Sequence, residues 1–318
     1  MKPRVAIAVV SWNTQDELAN CLESLRADHD AGLAEVIVVD NDSTDGSAAL
    51  VRERFGWVAL IEAGENLGYG PAVNRAAARS TAEWVAPANS DLVFTPGALG
   101  ELLAAADRHP AAGAFAPRLV LPDGSTQHSV HPFPTLPRLA AFNLGLQAVV
   151  PGLGDRLGIE GYWTPERERV VDWAHGAFLL VRRAAWDAVG GFDEQQWMYA
   201  EDLDIGWRLA QAGFPTVYVP SAAVHHEVSA STTQLFGDER VSRAQARTYS
   251  WMLRRRGLVR TRAAAAVNLA GAAARAALLT VAARVNPQRY GPARDAARRW
   301  VTIHRSGLLP ARELRELR

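Results

Sequence analysis

The sequence predicts an α/β protein with a mostly parallel central sheet flanked by helices, followed by an α-helical C-terminal extension. Residues 1–90 alternate short, apolar, β-branched-rich segments with helix-like segments, which is typical of βαβ units. Polar residues follow the apolar segments, where the strands of such a sheet would end. An Arg-rich helical pattern after about residue 240 predicts the extension.

The elements are predicted in order along the chain. Strands are expected at 5–11, 35–40, 58–62 and 84–88, and helices at 15–27, 47–53 and 71–79. The proline-rich segment 131–170 has little periodicity and is expected to be rich in loops. A helix from about residue 184, a helix over 202–212 and a strand over 214–219 follow. We expect a catalytic domain over 1–240, with a nucleotide-binding half (1–120) and an acceptor half (121–240), and a helical extension over 241–318.

Composition excludes several classes of protein. The chain has 318 residues, of which 48% are hydrophobic and 21% are charged, so a disordered or collagen-like chain is excluded. The single cysteine, Cys21, excludes a disulfide framework and a Cys-based zinc site. We find no signal-peptide pattern and no run of about 18 apolar residues, so a cytoplasmic, soluble or peripheral protein is expected.

The net charge of zero hides an asymmetry. Residues 1–251 carry 19 basic and 31 acidic side chains, whereas residues 252–318 carry 15 Arg and 3 acidic side chains. Such a basic segment binds nucleic acid, an anionic membrane or the protein's own acidic part. No aromatic interleaving or groove-reading motif accompanies it, so no nucleic-acid partner is expected. The other two alternatives stay open. An apolar stripe shares this helical region: Val267, Ala274, Leu278, Val281 and Val285.

Three polar clusters follow predicted strands: residues 11–13 (SWN), 40–42 (DND) and 89–91 (NSD). Because ligands of open α/β sheets bind beyond the carboxyl ends of the strands, these clusters predict a binding site. Asp40 follows a fully apolar run and is expected to bind a ribose or base edge. Asp45 is expected to cap the next helix instead.

The segment 65–74 (ENLGYGPAVN) places two glycines and a proline just before a helix. The N–H groups of such a turn can face an anion. Turns of this kind before helices are common, so this pattern alone is weak.

Acidic residues supply two further candidates. Asn89 and Asp91 have oxygen ligands suited to a divalent cation that also touches a diphosphate, although a turn or helix cap is the alternative. Glu201 and Asp202 begin a helix beside Trp197 and Tyr199, which favours a carboxylate general base over a simple cap. Asp204 is assigned to capping alone.

The pair His225-His226 lies on an extended segment, where neighbouring side chains point to opposite sides. At most one of these histidines is therefore expected to face the site. A structural role and a ligand role are weighed equally.

Together, residues 10–13 (VSWN), 40–46 (DNDSTDG), 66–70 (NLGYG), 89–91 (NSD) and 201–202 (ED) resemble the inverting family-2 glycosyltransferases of the GT-A fold. The resemblance covers about residues 4–230. Within the family, the chain is most similar to actinobacterial rhamnosyltransferases that act on lipid-linked N-acetylglucosamine in cell-wall linker assembly. Residues 66–75, 117–125, 173–183 and 219–232 carry this closer similarity.

The resemblance implies roles for individual residues. Asp202 matches the catalytic base, with Glu201 beside it, and Asp40 matches the residue that contacts the nucleotide. Asp91 and His226 match ligands of Mg²⁺ or Mn²⁺, with Ser90 at a position where relatives often have proline. The expected nucleotide-sugar-binding residues are Ser11, Asn13, Asp40, Asn66, Gly68, Tyr69, Asn74, Asn89 and Ser90. The expected acceptor-binding residues are Trp173, His175 and Trp197.

The function implied is transfer of a sugar with inversion from a nucleotide-diphospho-sugar to a lipid-linked saccharide. L-rhamnose from dTDP-rhamnose and polyprenyl-diphosphate N-acetylglucosamine are the expected pair. The C-terminal helices would hold the enzyme on the anionic inner face of the plasma membrane, and they could also form a homodimer.

The alternatives are galactosyl, mannosyl or N-acetylglucosaminyl transfer, and a non-catalytic nucleotide-sugar-binding protein. A sugar nucleotidyltransferase is disfavoured because Ser11, Trp12 and Asn13 follow the first strand in place of a Gly-rich basic loop. Processive polysaccharide synthesis is disfavoured because spanning helices and a Gln-x-x-Arg-Trp motif are missing from the sequence.

Overall fold

The computed structural model describes residues 3–159, 161–196, 198–227 and 239–316. The chain divides into two compact units. The first unit comprises Met1–Phe133 and Thr164–Gly237, and the second comprises Pro134–Trp163 and Asp238–Arg318. The domain ranges expected from the sequence stay a prediction beside this division.

The first unit is built on a mixed sheet. Its strands are β1 (Val5–Ser11), β2 (Ala34–Asp40), β3 (Ala59–Glu62), β4 (Trp84–Asn89), β5 (Leu92–Phe94), β6 (Ala114–Val120), β7 (Val130–His131), β8 (Arg169–Val171), β9 (Trp173–Ala174), β10 (Leu180–Arg182) and β11 (Thr216–His226). Its helices are α1 (Gln15–Asp30), α2 (Ser47–Arg54), α3 (Tyr69–Ala77) and α4 (Ala98–Arg108) and, after the segment that belongs to the second unit, α8 (Arg183–Val189) and α9 (Glu201–Gln211).

The strand order is β3-β2-β1-β4-β10-β6-β11-β5, with β8 paired to β11. β1, β2, β3 and β4 are parallel, as are β6 and β11, whereas β10, β5 and β8 run antiparallel to their neighbours. The predicted α/β class with a mostly parallel sheet is therefore confirmed. β7 and β9 form a separate two-stranded sheet.

The core explains why the first elements were predictable. Every residue of β1 is buried, and α1 turns Leu18, Cys21, Leu22 and Leu25 toward the sheet, at the spacing that the sequence indicates. Burial raises the pKa of the Cys21 thiol to about 12, so it stays protonated inside the core.

The second unit is helical. It consists of α5 (Leu136–Asn143), α6 (Leu146–Val149), α7 (Leu153–Arg156), α10 (Arg240–Arg256), α11 (Leu258–Val285), α12 (Pro287–His304), a 3₁₀ turn (Arg305–Leu308) and α13 (Ala311–Glu316). The segment expected to be rich in loops thus contributes three short helices. A hydrogen-bonded chain joins the first of them, α5, to the C-terminal helices: Asn143 donates to Asn268 (2.9 Å), and Asn268 donates to Tyr249 (3.1 Å).

The apolar stripe of α11 is exposed over its C-terminal half, at Leu278, Val281 and Val285. By length and composition, α11 is the one described helix that could cross a membrane. This is weak evidence, because helices of soluble cores pass the same test.

Candidate functional site

The site forms at the carboxyl edge of β1, β2 and β4. Ser11 pairs with Asp40 on β2, and Val10 pairs with Asn89 on β4, so the three polar clusters meet at one edge. β2 and β4 lie on opposite sides of β1, so the strand order reverses its direction at β1. Ligands of open parallel sheets bind at such a switch point.

A chain of hydroxyl groups ties the loops after β1 and β4 together. Thr14 Oγ1 lies 3.1 Å from Ser11 Oγ and 2.7 Å from Ser90 Oγ, and all three side chains are buried. Thr14 was not among the predicted site residues, since nothing in the local pattern distinguishes it from a helix cap. Ser11 and Ser90 therefore support the loop geometry, and their contact with a donor stays a prediction.

Asp40 is buried with only one satisfied oxygen. Its Oδ2 accepts from the Ser43 N–H at 3.1 Å, whereas its Oδ1 has no hydrogen-bond partner among the described residues. Beside it, the Asn41 amide donates to Gly68 O at 3.1 Å and so joins the loop after β2 to the Gly-rich turn. A buried acceptor without a partner is suited to the hydroxyl groups of a bound ligand.

Asn13 and Asp45 shape the rim of this edge. Asn13 Oδ1 accepts from the Thr44 N–H at 2.8 Å. Asp45 accepts from the N–H groups of Gln15 (2.8 Å) and Ser47 (3.0 Å), the first residues of α1 and α2, although the N-cap position of α2 itself is Gly46. Burial alone would raise the pKa of Asp45, but these hydrogen bonds hold it below its ordinary value.

Backbone strain is concentrated in the loops of this site. Within the described residues, the non-glycine residues with positive φ are Asn13, Asp42, Tyr199 and Ala200. Asn13 and Asp42 lie just after the ends of β1 and β2, and Tyr199 and Ala200 directly precede the Glu201-Asp202 pair. Such conformations cost about 1–3 kcal/mol each and cluster at functional sites.

The Gly-rich turn leads into α3. Asn66 Oδ1 accepts from the Gly68 N–H at 3.0 Å, and Gly68 has a φ of 82°, which glycine adopts without strain. The Tyr69 hydroxyl donates to Gly176 O. Burial raises the pKa of Tyr69 well above its ordinary value, and three nearby carboxylates raise it further: Glu201, Asp202 and Asp91. The negative charges of the candidate base and of the candidate cation ligand therefore both act on the Tyr69 phenol.

Asn74 holds another loop. Its amide donates to Phe192 O (2.9 Å), and its Oδ1 accepts from the Phe192 N–H (2.9 Å). The preceding Gly191 has a φ of 69° and leaves no space for a Cβ, which would lie 2.5 Å from Asn74 Oδ1. The geometry thus gives Asn74 a loop-fixing role, and its contact with the donor stays a prediction.

Asp91 and His226 form the candidate cation site. β11 pairs His226 with Leu92, so His226 is buried next to Asp91, whereas His225 is exposed on the other side. His226 Nδ1 lies 2.7 Å from Gln127 Oε1, and His226 Nε2 lies 3.3 Å from Asp91 Oδ1. Gln127 was not predicted, because it lies on a loop without a recognisable motif.

This pair has the properties of cation ligands. Gln127 Oε1 accepts a hydrogen bond from Nδ1–H, and an imidazole with its proton on Nδ1 presents the lone pair of Nε2 on the side of Asp91. Neither Nε2 nor Asp91 Oδ1 has a hydrogen-bond partner among the described residues. Neighbouring ligands of an octahedral Mg²⁺ at about 2.1 Å lie about 3 Å apart, which is close to the separation here. The described residues contain no cluster of three or more acidic, His or Cys side chains that could hold a metal ion.

Asp202 lies in the first turn of α9, held by two main-chain N–H groups. Its Oδ1 accepts from Leu203 at 2.7 Å and its Oδ2 from Gly176 at 3.3 Å. Asp202 is only partly buried, so a substrate hydroxyl can approach it. Gly176, which binds both Asp202 and Tyr69, was not found from the sequence. The capping role expected for Asp204 is wrong, because Asp204 is buried in an ion pair with Arg208 at 2.6 Å.

The acceptor candidates lie on β9 and after it. Trp173 stacks on His131 at 4.6 Å, and His175 Nε2 lies 2.9 Å from His131 Nε2. Burial lowers the pKa of His175; Asp202 opposes this fall, and His226 and His128 add to it. His175 therefore belongs to the electrostatic environment of Asp202. Trp197 lies outside the described residues.

Comparisons with known proteins agree with this arrangement. Residues 6–151 match Glycosyl transferase family 2, and residues 162–302 match Glycosyl transferase family group 2. The chain is 39% identical over 241 residues to the N-acetylglucosaminyl-diphospho-decaprenol L-rhamnosyltransferase of Mycobacterium tuberculosis, with 71% of this chain and 76% of that protein covered. It is 36% identical over 101 residues to Rhamnosyltransferase WbbL of Escherichia coli strain K12, which covers 31% of this chain and 35% of that protein.

Among solved structures, the chain is similar to the mannosyltransferase PcManGT from Pyrobaculum calidifontis, determined in complex with GDP-Man and Mn²⁺. The TM-score is 0.58 at 21% identity, with 97% of this chain and 86% of that chain covered. This likeness concerns the fold, and it confirms the fold class that the sequence resemblance implies.

Proposed function

Since this chain belongs to glycosyl transferase family 2 and is therefore a glycosyltransferase, we propose that it transfers L-rhamnose from dTDP-rhamnose to polyprenyl-diphosphate N-acetylglucosamine. The mycobacterial relative's substrate supports this choice of acceptor. The observation that carries the proposal is the geometry of the site: Gly176 binds both Tyr69 and Asp202, and the Asp91–His226 pair lies just after β4 at the carboxyl edge of the sheet.

The donor would bind along the edge formed by β1, β2 and β4. The unsatisfied Oδ1 of Asp40 would accept a hydrogen bond from a ribose hydroxyl or a base N–H. Asn13 and Asn89, at the ends of β1 and β4, would line the path toward the diphosphate.

Asp91 and His226 would hold a divalent cation, Mg²⁺ or Mn²⁺, together with phosphate oxygens of the donor. Their two unpartnered, buried atoms fit this role. When bound, the cation would supply positive charge that stabilises the leaving diphosphate.

Asp202 would act as the general base. It would take the proton of an acceptor hydroxyl while that oxygen forms a bond to the anomeric carbon of the sugar. The bond from this carbon to the diphosphate breaks on the opposite face, so the configuration inverts in one displacement. The N–H groups of Leu203 and Gly176 orient the carboxylate for this transfer. His175 and Trp173 would shape the pocket for the acceptor sugar.

The experiment measures transfer to a short-chain polyprenyl-diphosphate N-acetylglucosamine with Mg²⁺ and, in turn, dTDP-rhamnose, UDP-galactose, UDP-N-acetylglucosamine and GDP-mannose. We expect transfer from dTDP-rhamnose that falls about 10²–10⁴-fold in Asp202→Asn, the usual contribution of a general base. Asp187→Asn removes an exposed carboxylate from α8 and should keep full activity.

Transfer from another donor would replace the rhamnosyl assignment while keeping the reaction. Nucleotide binding without transfer from any donor would favour a non-catalytic nucleotide-sugar-binding protein.

We also propose that the second unit holds the enzyme on the anionic inner face of the plasma membrane. In its described residues, 19 Arg stand against 5 acidic side chains, and all the exposed large hydrophobic side chains except Val170 lie in this unit. Positive charge beside exposed apolar area is typical of interfacial binding. Dimerisation through the same helices stays a prediction.

A further inference from the structure

A groove in the second unit has a mixed chemical character. It is formed by residues 134–137 (PTLP), Met252, Arg256 and Arg260, and its volume is about 240 Å³. Two prolines, Leu136 and Met252 make its walls mainly apolar, and the two guanidinium groups add positive charge.

The two arginines lie on either side of the break between α10 and α11. Arg256 ends α10, Gly257 takes a φ of 82°, and Arg260 lies in the first turn of α11. Arg256 Nη1 donates to Pro134 O at 3.0 Å, which fixes this guanidinium at the groove. Burial lowers the pKa of Arg256, and the charge of Arg260 lowers it further. A bound anion would relieve this repulsion between like charges.

An apolar trough with two arginines suits a ligand with a phosphorylated head and a hydrocarbon chain. An arginine guanidinium can form two parallel hydrogen bonds to one phosphate, whereas the ammonium group of lysine acts as a point charge. Pockets for drug-sized ligands have volumes of about 300–1,000 Å³, so this groove would enclose only part of a long lipid.

We propose that this groove binds the diphosphate and the first isoprene units of a polyprenyl diphosphate, at a subsite that lies within the second unit. The inference rests on the proposed function, which requires a polyprenyl-diphosphate acceptor. Arg256 and Arg260 bind the phosphates, and Leu136, Pro137 and Met252 contact the chain.

The test uses the full chain and farnesyl diphosphate as the probe, measured by isothermal titration calorimetry with saturating dTDP in the donor site. We expect farnesyl diphosphate to bind more tightly than either farnesol or inorganic diphosphate, because the groove needs both parts. Arg260→Glu should weaken this binding at least about tenfold, as expected when charge-assisted hydrogen bonds are lost. Arg260 is exposed, so its substitution should leave the fold intact.

Arg284→Glu provides the matched control, because Arg284 is exposed on the same helix, α11, outside the groove. It changes the charge of the second unit equally and should leave farnesyl diphosphate binding unchanged. Arg256→Lys should weaken binding less than Arg260→Glu, because it keeps the positive charge.

Equal affinity for wild type and Arg260→Glu, or equal losses in both Glu variants, would overturn the proposal. Displacement of farnesyl diphosphate by phosphatidylglycerol vesicles would assign the groove to membrane headgroups and also overturn it. Farnesyl diphosphate binding that depends on Arg260, in a protein that transfers no sugar to the polyprenyl acceptor, would keep the groove and reject the proposed reaction. If transfer occurs, Arg260→Glu should raise the KM for the polyprenyl acceptor and leave the KM for the nucleotide sugar unchanged.

Discussion

Asn74 joins α3 to the loop before α9 through its amide group. The side chain pairs with both the N–H and the C=O of Phe192, whose own side chain is buried. A further contact at 3.3 Å reaches Glu194 Oε1. One side chain thus fixes the loop that leads toward Tyr199 and Ala200.

We expect Asn74→Ala to lower the free energy of unfolding by about 1–3 kcal/mol, because two main-chain groups of Phe192 lose their partners. Denaturant unfolding with circular dichroism checks this expectation. Asn20→Ala, on the exposed face of α1, should change stability by less than about 0.5 kcal/mol. Unchanged stability together with a raised KM for the nucleotide sugar would instead place Asn74 in the donor site.

At the scale of single residues, Asp40, Asp91 and Asp202 could be singled out from the sequence because each lies in a short motif. The residues that contact them could not be singled out in this way. Thr14, Gln127 and Gly176 reach the site through contacts with residues far away in the sequence, and no local pattern assigns them a role there. The strand pattern alone also did not determine whether His225 or His226 faces the site. Neighbouring side chains of a strand point to opposite sides, so either histidine could be the inward one.

Among the elements, α9 approaches β9 so closely that only glycine fits between them. A Cβ added at Gly206 would lie 2.5 Å from Trp173 Cβ and 3.3 Å from Trp173 Cα. β9 continues into His175 and Gly176, which contact the candidate acceptor and base residues. The distance between this helix and this strand therefore positions both groups.

Gly206→Ala should cost about 1–3 kcal/mol of stability through overpacking, and it should also reduce kcat because β9 moves away from Asp202. Gly100→Ala is the matched control, since Gly100 lies on the exposed face of α4 with no atoms near an added Cβ. That variant should gain up to about 1 kcal/mol from helix propensity and keep full activity. Thermal unfolding and sugar-transfer assays distinguish the two; a Gly206→Ala protein with wild-type turnover would contradict the positioning role.

His304 closes the polar chain of the second unit. Its Nδ1 lies 2.9 Å from the Tyr249 hydroxyl, which receives a hydrogen bond from Asn268. Burial, and then the charge of Arg275, lower the pKa of His304 from 6.5 to about 4. The neutral imidazole is therefore the form that the folded unit favours.

Because the unfolded chain takes up this proton near pH 6.5 and the folded chain only near pH 4, the contribution of His304 to stability is full above pH 6.5. It is lost progressively as the pH falls from 6.5 to 4. The unfolding temperature should drop between pH 7.5 and pH 5, and this drop should shrink in His304→Gln. His225→Gln removes an exposed histidine and should retain the wild-type drop. Identical pH profiles for the wild type and His304→Gln would contradict the assignment.

The predicted elements of residues 1–90 agree closely with the structure because β1, β2 and β4 are almost entirely buried and α1 carries a regular apolar face. The middle segment, 131–170, was expected to be rich in loops, whereas the structure has three short helices there. α5 has no buried side chain, so no amphipathic pattern marks it, and its anchor is the contact of Asn143 with Asn268 and with Arg275.

At the scale of the whole molecule, the candidate site lies in one unit and most of the exposed apolar surface lies in the other. The first unit holds the candidate site, and the second holds most of the arginines and nearly all the exposed large hydrophobic side chains. The basic charge and the Arg-rich helices were evident from the sequence. That the exposed side of α11 carries Leu278, Val281 and Val285 required the structure.

We expect the protein to bind vesicles that contain phosphatidylglycerol and to dissociate as salt is raised from 0.1 M, where the Debye length is about 10 Å, to 1 M, where it is about 3 Å. Replacing Leu278 and Val281 by Ser should weaken this binding and leave the hydrolysis of the nucleotide sugar unchanged. Val170→Ser, in the first unit, is the control and should bind vesicles like the wild type. Absence of vesicle binding in a sedimentation assay would favour the alternative, in which the basic helices pack on the acidic part of the protein.

The irregularity in β11 sets a requirement on chain length at the candidate cation site. Val219 pairs with Pro117 and Ala223 with Arg118, so three residues of β11 lie outside the ladder with β6 before pairing resumes. Beyond this bulge, Val224 and His226 share the buried side of the strand. Each residue gained or lost in an extended strand exchanges its two sides. A homologue that kept every side chain named here but gained one residue at the bulge would place His225 where His226 now faces Asp91, and His226 would lose its hydrogen bond to Gln127. Alignments of relatives are therefore best judged by gaps at residues 220–222 as much as by the histidine itself.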